Sequence, residues 1–384
     1  MKISHISTTH AGGAGIAARN LNSELTARGV DSKFLALKQV DFLSGASEIS
    51  LPRNFSERLR SGIYGNLQNR LSAKSFFSLV SYSPASISHR ISVESKSRIL
   101  HIHNWYNITN LSQIAELIRS GSKVVMTLHD ERTYTGGCHS TLGCNKFQTD
   151  CGSCPGLSGV FRSFPRRNLA MAESKYEKLF SEATFIAPSQ WILNQAKASR
   201  LLRSSRIEFI PNVIKPPKQD VSPYDETKGI RLGFAAMDPN SYIKGGGFFT
   251  RATEYSHRNP NEIKVVKMNE FKVDINAFWG AIDFLCVPSN ADNSPNVIHE
   301  AKLLGIPVLA TRVGGIPELL NSDFDIVLDS PDVEIGTLFN EMKKSILRLE
   351  NPKNRALSIS AFLRLVETAS DRHIDLYKDV LEPH

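Results

Sequence analysis

Short strand patterns alternate with helical patterns along almost the whole chain, and this alternation constrains the fold more than any other feature. The chain begins with the strand pattern KISHIS, the turn HAGGAG and the segment GIAARNLNSELTARG, in which apolar residues recur at helical spacing until Gly29. Further strand patterns follow at 33–37, 99–104, 123–130, 184–189 and 207–212. This order predicts a parallel α/β sheet covered by helices on both faces.

A second series of strands and helices predicts a second domain. Its strand patterns lie at 230–235, 262–267, 282–289, 306–311 and 325–329. Before it, VIKPPKQDVSPYDETKG is rich in proline and charge, which is typical of a linker. A chain of 384 residues suits about two domains. We expect an N-terminal domain at 1–212, the linker at 213–229, a C-terminal domain at 230–360 and a helix at 361–384 that returns to the first domain.

Composition and charge limit the class of protein. With 41% hydrophobic and 22% charged residues the chain is globular, and no apolar run reaches the roughly 18–20 residues of a membrane span. The start, MKISHISTTH, lacks the pattern of a signal peptide, so we expect a cytoplasmic protein. A net charge of +8 favours an anionic partner, which could be nucleic acid, a phospholipid surface or a phosphorylated ligand. The basic and apolar stretch 58–79 suits either a membrane surface or an ordinary solvated helix pair.

The segment 289–320, SNADNSPNVIHEAKLLGIPVLATRVGGIPELL, is the richest in candidate functional residues. Ser294 suits a helix N-cap and Pro295 the first helical position. Asp292 would then lie in the loop before the helix and Glu300 inside it. A helix N-terminus favours phosphate, and an ionised carboxylate accepts paired hydrogen bonds from vicinal sugar hydroxyls. The alternative interpretation is that Asp292 is a turn residue and Glu300 a surface charge.

Glycine turns and one lysine supply groups that a phosphorylated ligand needs. The backbone amides of Gly12, Gly13, Gly314 and Gly315, together with Lys244 in SYIKGGG, could stabilise a phosphoryl leaving group without a metal ion. Turns explain most single glycines, so the prediction depends on the combination. No DxD pair stands out in the sequence.

These segments resemble the motifs of retaining GT-B glycosyltransferases of family 4. That family has two glutamates separated by seven residues, a G-x-P-V strand and a GG-x-P-E loop; this chain reads D-NSPNVIH-E, GIPVLAT and GGIPE, so Asp292 replaces the first glutamate. AGGAG is similar to the family's glycine turn against the donor phosphates, and KVVMTLHD to its strand ending in a histidine near the transferred sugar. FAAMDPNSYIKGG resembles its diphosphate-binding segment, although Ala235 or Ala236 stands where an arginine is usual.

Nearly the whole chain takes part in the resemblance. HIHN, TGGCH and the cysteine cluster resemble the bacterial colanic-acid and exopolysaccharide transferases in particular. The resemblance implies a GT-B fold, with two Rossmann-like domains facing a cleft and C-terminal helices packed back on the first. It also implies transfer of a hexosyl group, with retention and without a catalytic metal, from a UDP- or GDP-sugar to a glycan or lipid-linked oligosaccharide. An enzyme of this kind would take part in bacterial surface polysaccharide synthesis at the inner face of the membrane.

The resemblance also implies roles for individual residues. The catalytic residues would be His129, Asp292, Glu300 and Lys244. The donor would contact Gly12, Gly13, Gly15, Lys244, Asn293, Ser294, Pro295, Asn296, Glu300, Gly314 and Gly315. The acceptor side would carry His103, Asn104 and Asp130.

Four cysteines in one predicted loop follow the spacing C-x5-C-x6-C-x2-C, and they are Cys138, Cys144, Cys151 and Cys154. The last pair has the C-x2-C spacing common in structural zinc sites, and a cytoplasmic chain disfavours lasting disulfides. We therefore favour a structural zinc, with His139 as a substitute ligand. Packed reduced thiols and disulfides are the alternatives.

Two other function classes compete with the transferase. A zinc-containing nucleic-acid-binding protein would need a clustered basic stripe with aromatics, whereas the basic residues here are spread over both predicted domains. An epimerase acting on nucleotide sugars would need acid and base residues that the sequence does not identify. A dinucleotide oxidoreductase is disfavoured because AGGAGIAA is not G-x-G-x-x-G and no acidic residue ends KFLALKQ. We expect a nucleotide sugar as the partner, and not nucleic acid.

Overall fold

The chain forms two compact units in a computed structural model. The structure describes residues 1–37, 48–51, 56–60, 62–63, 83–94, 99–219, 221–236, 238–271, 274–321 and 323–382. One unit consists of Met1–Val213 together with Ala369–His384, and the other of Ile214–Thr368. Each unit is a parallel sheet with helices, as the alternating sequence patterns predict.

The first unit has a seven-stranded parallel sheet in the order β3-β2-β1-β4-β5-β6-β7. The strands are β1 (Lys2–Ser7), β2 (Asp31–Ala36), β3 (Glu48–Ser50), β4 (Ile99–Ile102), β5 (Lys123–Thr127), β6 (Thr184–Ala187) and β7 (Arg206–Phe209). The helices that precede the second unit are α1 (Gly12–Ala27), α2 (Ala85–Glu94), α3 (Leu111–Arg119), α4 (Phe164–Glu182) and α5 (Gln190–Ala198). β4 and β6 are buried along their whole length, which explains their continuous apolar patterns.

The second unit has a five-stranded parallel sheet in the order β12-β11-β10-β8-β9. Its strands are β8 (Ile230–Phe234), β9 (Ile263–Lys267), β10 (Phe284–Val287), β11 (Val308–Thr311) and β12 (Ile326–Leu328). Its helices are α6 (Gly246–Arg258), α7 (Ile275–Gly280), α8 (Asn296–Leu303), α9 (Ile335–Glu350) and α10 (Pro352–Glu367). The last helix of the chain, α11 (Ala369–Leu381), belongs to the first unit.

The C-terminal segment divides between the two units. On α11, Leu376, Tyr377 and Val380 are buried in one hydrophobic cluster with Ile3 of β1. Phe362 on α10 is instead buried in the core of the second unit. The predicted boundary at residue 360 therefore falls inside α10, because the apolar face of that helix covers the second unit and only the next helix returns to the first.

The predicted linker at 213–229 begins where the units divide. Val213 is buried in a cluster of the first unit, whereas Ile214 is buried in a cluster of the second. Most of the basic stretch 58–79, namely 61 and 64–79, lies outside the described residues. Among the described helices, none has the length and apolar character needed to cross a membrane.

Candidate functional site

The loops after three neighbouring strands of the second unit meet at one edge of its sheet. β11, β10 and β8 are adjacent and parallel, so their carboxyl ends lie side by side. Lys244 follows β8 and directly precedes α6, whose N-cap is Gly245. Asp292 follows β10, and Gly314 follows β11. The sheet thus brings together residues that are up to 70 positions apart in the sequence.

An ion pair joins the first two of these loops. Lys244 Nζ lies 2.5 Å from Asp292 Oδ2, and the exposed fractions of the two side chains are 41% and 13%. The backbone amide of Asn290 also donates to the carbonyl of Ile243 over 2.8 Å. A half-exposed pair of this kind contributes only ~0–1 kcal/mol to stability. Its main effect is to hold a cation at the strand ends.

Two glycines are required by close backbone approaches at this edge. Gly314 has φ 57°, and a Cβ placed on it would lie 1.7 Å from the carbonyl oxygen of Asp292. Gly245 has φ 79°, and a Cβ there would lie 1.9 Å from the carbonyl oxygen of Pro288. The Gly315 amide donates to the Asp292 carbonyl over 3.3 Å. The predicted phosphate contact from Gly315 is therefore corrected in part, because its amide already has a protein acceptor.

The helix after Asp292 begins one residue later than predicted. Pro295, with ψ 116°, is the N-cap of α8, and the first helical residue is Asn296. Ser294 was expected as the cap; its hydroxyl instead shares a 3.0 Å hydrogen bond with Nε2 of buried His299. Pro295 has no side-chain acceptor, so the first turn of α8 is without a side-chain cap. Asn293 and Asn296, both predicted to contact the donor, are 8% exposed.

Glu300 lies in the second turn of α8 in a partly buried position. Burial raises the pKa of its carboxyl to about 7. Within the described part of the chain, no hydrogen bond or ion pair to this side chain is present. A desolvated carboxylate without a protein partner beside a helix N-terminus is a strong candidate for ligand binding.

In the first unit, the glycine turn after β1 opens α1. Gly12 has φ 77° and begins the helix, and the preceding Ala11 provides no side-chain cap. A Cβ on Gly15 would lie 2.3 Å from the carbonyl oxygen of Thr9, whereas Gly12 and Gly13 have open space at this position. Gly15 therefore serves packing, and the helix N-terminus that begins at Gly12 suits an anion.

His129, which follows β5, is partly exposed and bonded to another histidine. Its Nε2 lies 3.1 Å from Nδ1 of His103, and Nε2 of His103 lies 3.0 Å from Nδ1 of His5. Burial lowers the pKa of His129 to about 4, so the ring is neutral at pH 7. His103 is 5% exposed and uses both ring nitrogens within the protein. This corrects the expectation that His103 borders the acceptor, since its ring supports His129 instead.

Asn104 and Asp130 each close a turn. The Asn104 side-chain oxygen accepts from the amide of Tyr106 over 3.1 Å, and the Asp130 carboxylate accepts from the amide of Arg132 over 2.9 Å. The guanidinium of Arg132 lies 4.3 Å from the ring centroid of Tyr106 and 5.6 Å from that of Trp105. The sequence analysis missed this cation–π group. The acceptor contacts of Asn104 and Asp130 stay predictions.

The cysteine loop is held by a buried carboxylate that the sequence analysis also missed. Glu131 accepts hydrogen bonds from the amide and the hydroxyl of Thr141 over 2.7 and 2.8 Å. Burial raises the pKa of Glu131 to about 7. The residue directly follows the predicted HD pair, and a lone glutamate in a loop carries no sequence signal of burial.

All four loop cysteines are reduced and line one small cavity. A hydrogen bond between Cys138 and Cys154, with the amides of Gly156 and Leu157, lowers the pKa of Cys154 to about 6. The same thiol–thiol bond, followed by burial, raises the pKa of Cys138. Among the described residues, one group of three has potential metal-ligand atoms within 4.8 Å of one another, and it consists of His5, His101 and His103. No three of the cysteine sulfurs are therefore that close to one another.

Two parallel α/β units, the first completed by the terminal helix, define the GT-B fold, and comparison with solved structures bears this out. Alr3699/HepE from Anabaena, solved in complex with UDP, has a TM-score of 0.60 at 15% identity, covering 99% of this chain and 100% of that one. Sucrose-phosphate synthase from Thermosynechococcus elongatus has a TM-score of 0.59 at 14% identity, covering 99% and 98%. These likenesses confirm the predicted fold.

Residues 241–343, which contain Lys244, Asp292 and Glu300, match the family described as glycosyl transferases group 1. The putative colanic acid biosynthesis glycosyl transferase WcaC of Escherichia coli K12 is 26% identical over 252 residues, which cover 58% of this chain. The match spans 62% of the length of that relative. The sequence resemblance and the comparisons therefore lead to the same group of enzymes.

We expect Glu300→Gln to stabilise the protein at neutral and higher pH. The pKa of Glu300 is raised in the folded state, so the folded protein holds this proton more tightly than the unfolded chain does. Stability should therefore fall as the pH rises from about 4.5 through about 7, and Gln does not carry this cost. Urea unfolding should show a gain of about 1–2 kcal/mol near pH 8 and almost none near pH 4.5.

The matched control is Glu341→Gln, because Glu341 is exposed in the same unit. This control should change stability by less than about 0.5 kcal/mol at both pH values. An equal effect of Glu300→Gln at the two pH values would contradict the assignment of a desolvated carboxylate.

Proposed function

We propose that this protein is a retaining glycosyltransferase of family 4. It would move a hexosyl group from a UDP- or GDP-sugar to a glycan or lipid-linked oligosaccharide in bacterial surface polysaccharide synthesis. The observation that carries this proposal is the Lys244–Asp292 pair at the strand ends, together with Glu300 in α8, whose side chain has no partner among the described residues. All three residues lie in the segment that matches group 1. WcaC, by its name, and HepE, which has been solved with UDP-glucose, add support.

Lys244 is the group that would meet the donor diphosphate. An ammonium has three donors, so Lys244 can keep its bond to Asp292 and still bind a phosphate oxygen. The N-terminus of α6, which begins at Gly246, adds oriented amides and a favourable dipole. Fixed positive groups of this kind stabilise the charge that develops on a leaving diphosphate, so the proposal needs no catalytic metal ion.

Glu300 would bind sugar hydroxyls of the donor. When ionised, a carboxylate accepts two hydrogen bonds at once, which matches vicinal hydroxyls. Burial raises the pKa of Glu300, whose side chain has no hydrogen-bond partner among the described residues, and donor hydroxyls would provide one. Asp292, the shorter acid in place of the family's first glutamate, would act mainly by holding Lys244.

His129 would contact the transferred sugar as a neutral ring. In the proposed retaining reaction, the leaving diphosphate helps to deprotonate the acceptor hydroxyl on the face from which it departs. The protein then contributes mainly position and charge stabilisation. Asn104 and Asp130, in the turns beside His129, would border the acceptor.

An exposed apolar and basic tip supports a peripheral membrane location at the cytoplasmic face. Val160, in the 3₁₀ turn Gly159–Ser163, is 78% exposed, and the exposed residues that follow it in the sequence include Arg162 and Arg167. An apolar side chain flanked by arginines suits the surface of an anionic bilayer. A lipid-linked acceptor would be presented at such a surface.

The four loop cysteines would hold a structural zinc ion. Cys154 has a lowered pKa, which favours the thiolate that zinc binds, whereas burial raises the pKa of Cys151, the other member of the C-x2-C pair, to about 11. Among the described residues, no three of the four sulfurs lie within 4.8 Å of one another, so the proposal requires them to draw together on binding. His139 remains the proposed substitute ligand.

Elemental analysis of the purified protein should find one zinc per chain. Cys151→Ser and Cys154→Ser should each abolish this zinc and lower the unfolding temperature, because the loop loses its cross-link. Cys286→Ser is the control, since Cys286 is buried in β10 of the other unit and should leave the zinc content unchanged. Zinc-free wild-type protein with an unchanged unfolding temperature in the presence of a chelator would contradict the zinc assignment.

We expect Lys244→Ala and Glu300→Ala each to lower turnover at least tenfold in the folded protein. Each variant removes an interaction proposed for the donor, and tenfold corresponds to ~1.4 kcal/mol of transition-state stabilisation. The measurement is release of nucleoside diphosphate from UDP- and GDP-hexoses. Lys264→Ala and Glu341→Ala, at exposed positions of the same unit, should remain within about twofold of wild type.

Unchanged turnover in both Lys244→Ala and Glu300→Ala would contradict the site assignment. Interconversion of the donor sugar without transfer would favour an epimerase instead. A product of inverted anomeric configuration would contradict the retaining assignment while leaving the transferase proposal intact.

A further inference from the structure

Three histidines at the ends of neighbouring strands form a continuous chain of hydrogen bonds. His5 lies in β1, His103 follows β4 and His129 follows β5, and these strands are adjacent in the sheet. Nδ1 of His5 is 3.0 Å from Nε2 of His103, and Nδ1 of His103 is 3.1 Å from Nε2 of His129. We call these three residues the histidine chain.

The protonation of one ring in the histidine chain determines that of the next. Burial lowers the pKa values of His5 and His129 to about 3 and about 4 and holds that of His103 well below its usual range, so all three rings are neutral near pH 7. A neutral imidazole has one donor and one acceptor nitrogen. His103 bonds through both nitrogens, so it must accept from one neighbour and donate to the other. Only two arrangements satisfy both bonds, and they differ in direction.

His5, at one end of the histidine chain, favours one of the two directions of the hydrogen bonds. Nε2 of His5 is buried and has no hydrogen-bond partner among the described residues. If the bonds ran from His129 towards His5, this nitrogen would carry the proton, and a buried N–H would have no acceptor. Buried orphan N–H groups are rare and costly. In the opposite direction, His5 donates through Nδ1, His103 donates through Nδ1, and the proton of His129 also resides on Nδ1.

A fourth histidine packs against the chain without joining it. His101 is paired in register with His5 and its ring lies 4.0 Å from that of His103. Its Nδ1 is 2.6 Å from the hydroxyl of Tyr377 on α11, and its Nε2 is 2.7 Å from the hydroxyl of Thr127. Both nitrogens of His101 thus have partners outside the chain. This occupancy argues against a metal ion shared by His5, His101 and His103, although their ligand atoms are within 4.8 Å of one another.

We propose that His5 and His103 are positioning residues that fix His129 as the Nδ1–H tautomer, so that His129 offers a hydrogen-bond donor to a hydroxyl oxygen of the transferred sugar. The proposal rests on the proposed function, because it takes His129 as the histidine that meets this sugar. Within the described residues the single hydrogen bond of the His129 ring uses Nε2, which leaves Nδ1 for a ligand. In this tautomer His129 cannot accept a proton through Nδ1, so it orients the sugar and does not act as a base there.

The wild-type protein tests the proposal directly. Long-range ¹H–¹⁵N correlation spectra of protein labelled at histidine distinguish Nδ1–H from Nε2–H for each ring, and His129→Gln identifies the signals of His129. We expect His129, His103 and His5 all as Nδ1–H tautomers at pH 7. An Nε2–H tautomer for His129 would overturn the proposal, whatever the activity of the protein.

Two variants of His5 connect the tautomer to the reaction. His5→Phe removes the donor that sets the direction, so we expect a mixture of His129 tautomers and a turnover number lowered about tenfold, with KM for the nucleotide sugar within about twofold. His5→Asn keeps a donor near the place of Nδ1 and should restore both the tautomer and most of the turnover. Equal turnover in His5→Phe and wild type would overturn the positioning role.

The matched control is His101→Phe, which alters an equally buried ring outside the chain. It should lower stability, because Tyr377 and Thr127 lose a partner, but it should keep the Nδ1–H tautomer of His129 and turnover within about twofold. If the wild-type protein contained one bound metal ion and both His5→Phe and His101→Phe lost it, a metal site would replace the proposed hydrogen-bond chain. A correct tautomer in a protein that transfers no sugar would instead contradict the proposed function alone.

Discussion

The candidate site depends first on the geometry of parallel sheets, which brings the carboxyl ends of neighbouring strands to a single edge. In the second unit this geometry places Lys244 and Asp292, 48 positions apart, within 2.5 Å of each other. In the first unit it places His5, His103 and His129 in contact across three strands. The chemistry of each unit is therefore set by strand order rather than by any single motif.

Glu300 lowers stability rather than raises it, because it is a desolvated carboxylate without a protein partner among the described residues. Gly245 and Gly314 allow the close approach of a neighbouring carbonyl, which a Cβ would prevent. A chain selected only for stability would replace Glu300 by a neutral or apolar residue. Such costs concentrate where a ligand binds, because the ligand completes the missing interactions.

The terminal helix adds a structural support to the first unit that lies far away in sequence. Tyr377 is fully buried against the central strands and bonds His101. His101 in turn lies beside His103, with 4.0 Å between the two ring centroids. The return of the chain to the first unit is thus part of how His101 is held, and not only a closing contact of the fold.

The fold could be predicted from the sequence because buried parallel strands leave continuous apolar runs that short windows detect. β3, only three residues long at the sheet edge, has no such pattern and was missed. Asp292 and Glu300 could be proposed from the sequence because they lie in one local motif. The partners could not be found in this way: the bonds of His5 to His103 and of Lys244 to Asp292 depend on strand order, which no local pattern encodes. The helix start at Pro295 was misplaced because Ser294 uses its hydroxyl for His299, a tertiary contact.

Thermal unfolding with UDP, GDP, ADP, NAD and a short DNA duplex tests the central claim most directly. A ligand at 100 times its dissociation constant that binds only the folded state adds about 2.7 kcal/mol of stability. We predict stabilisation of the wild-type protein by one nucleoside diphosphate, and a much smaller effect of the same ligand on Lys244→Ala. Stabilisation by DNA alone, or by none of these ligands, would contradict the assignment of a nucleotide-sugar site.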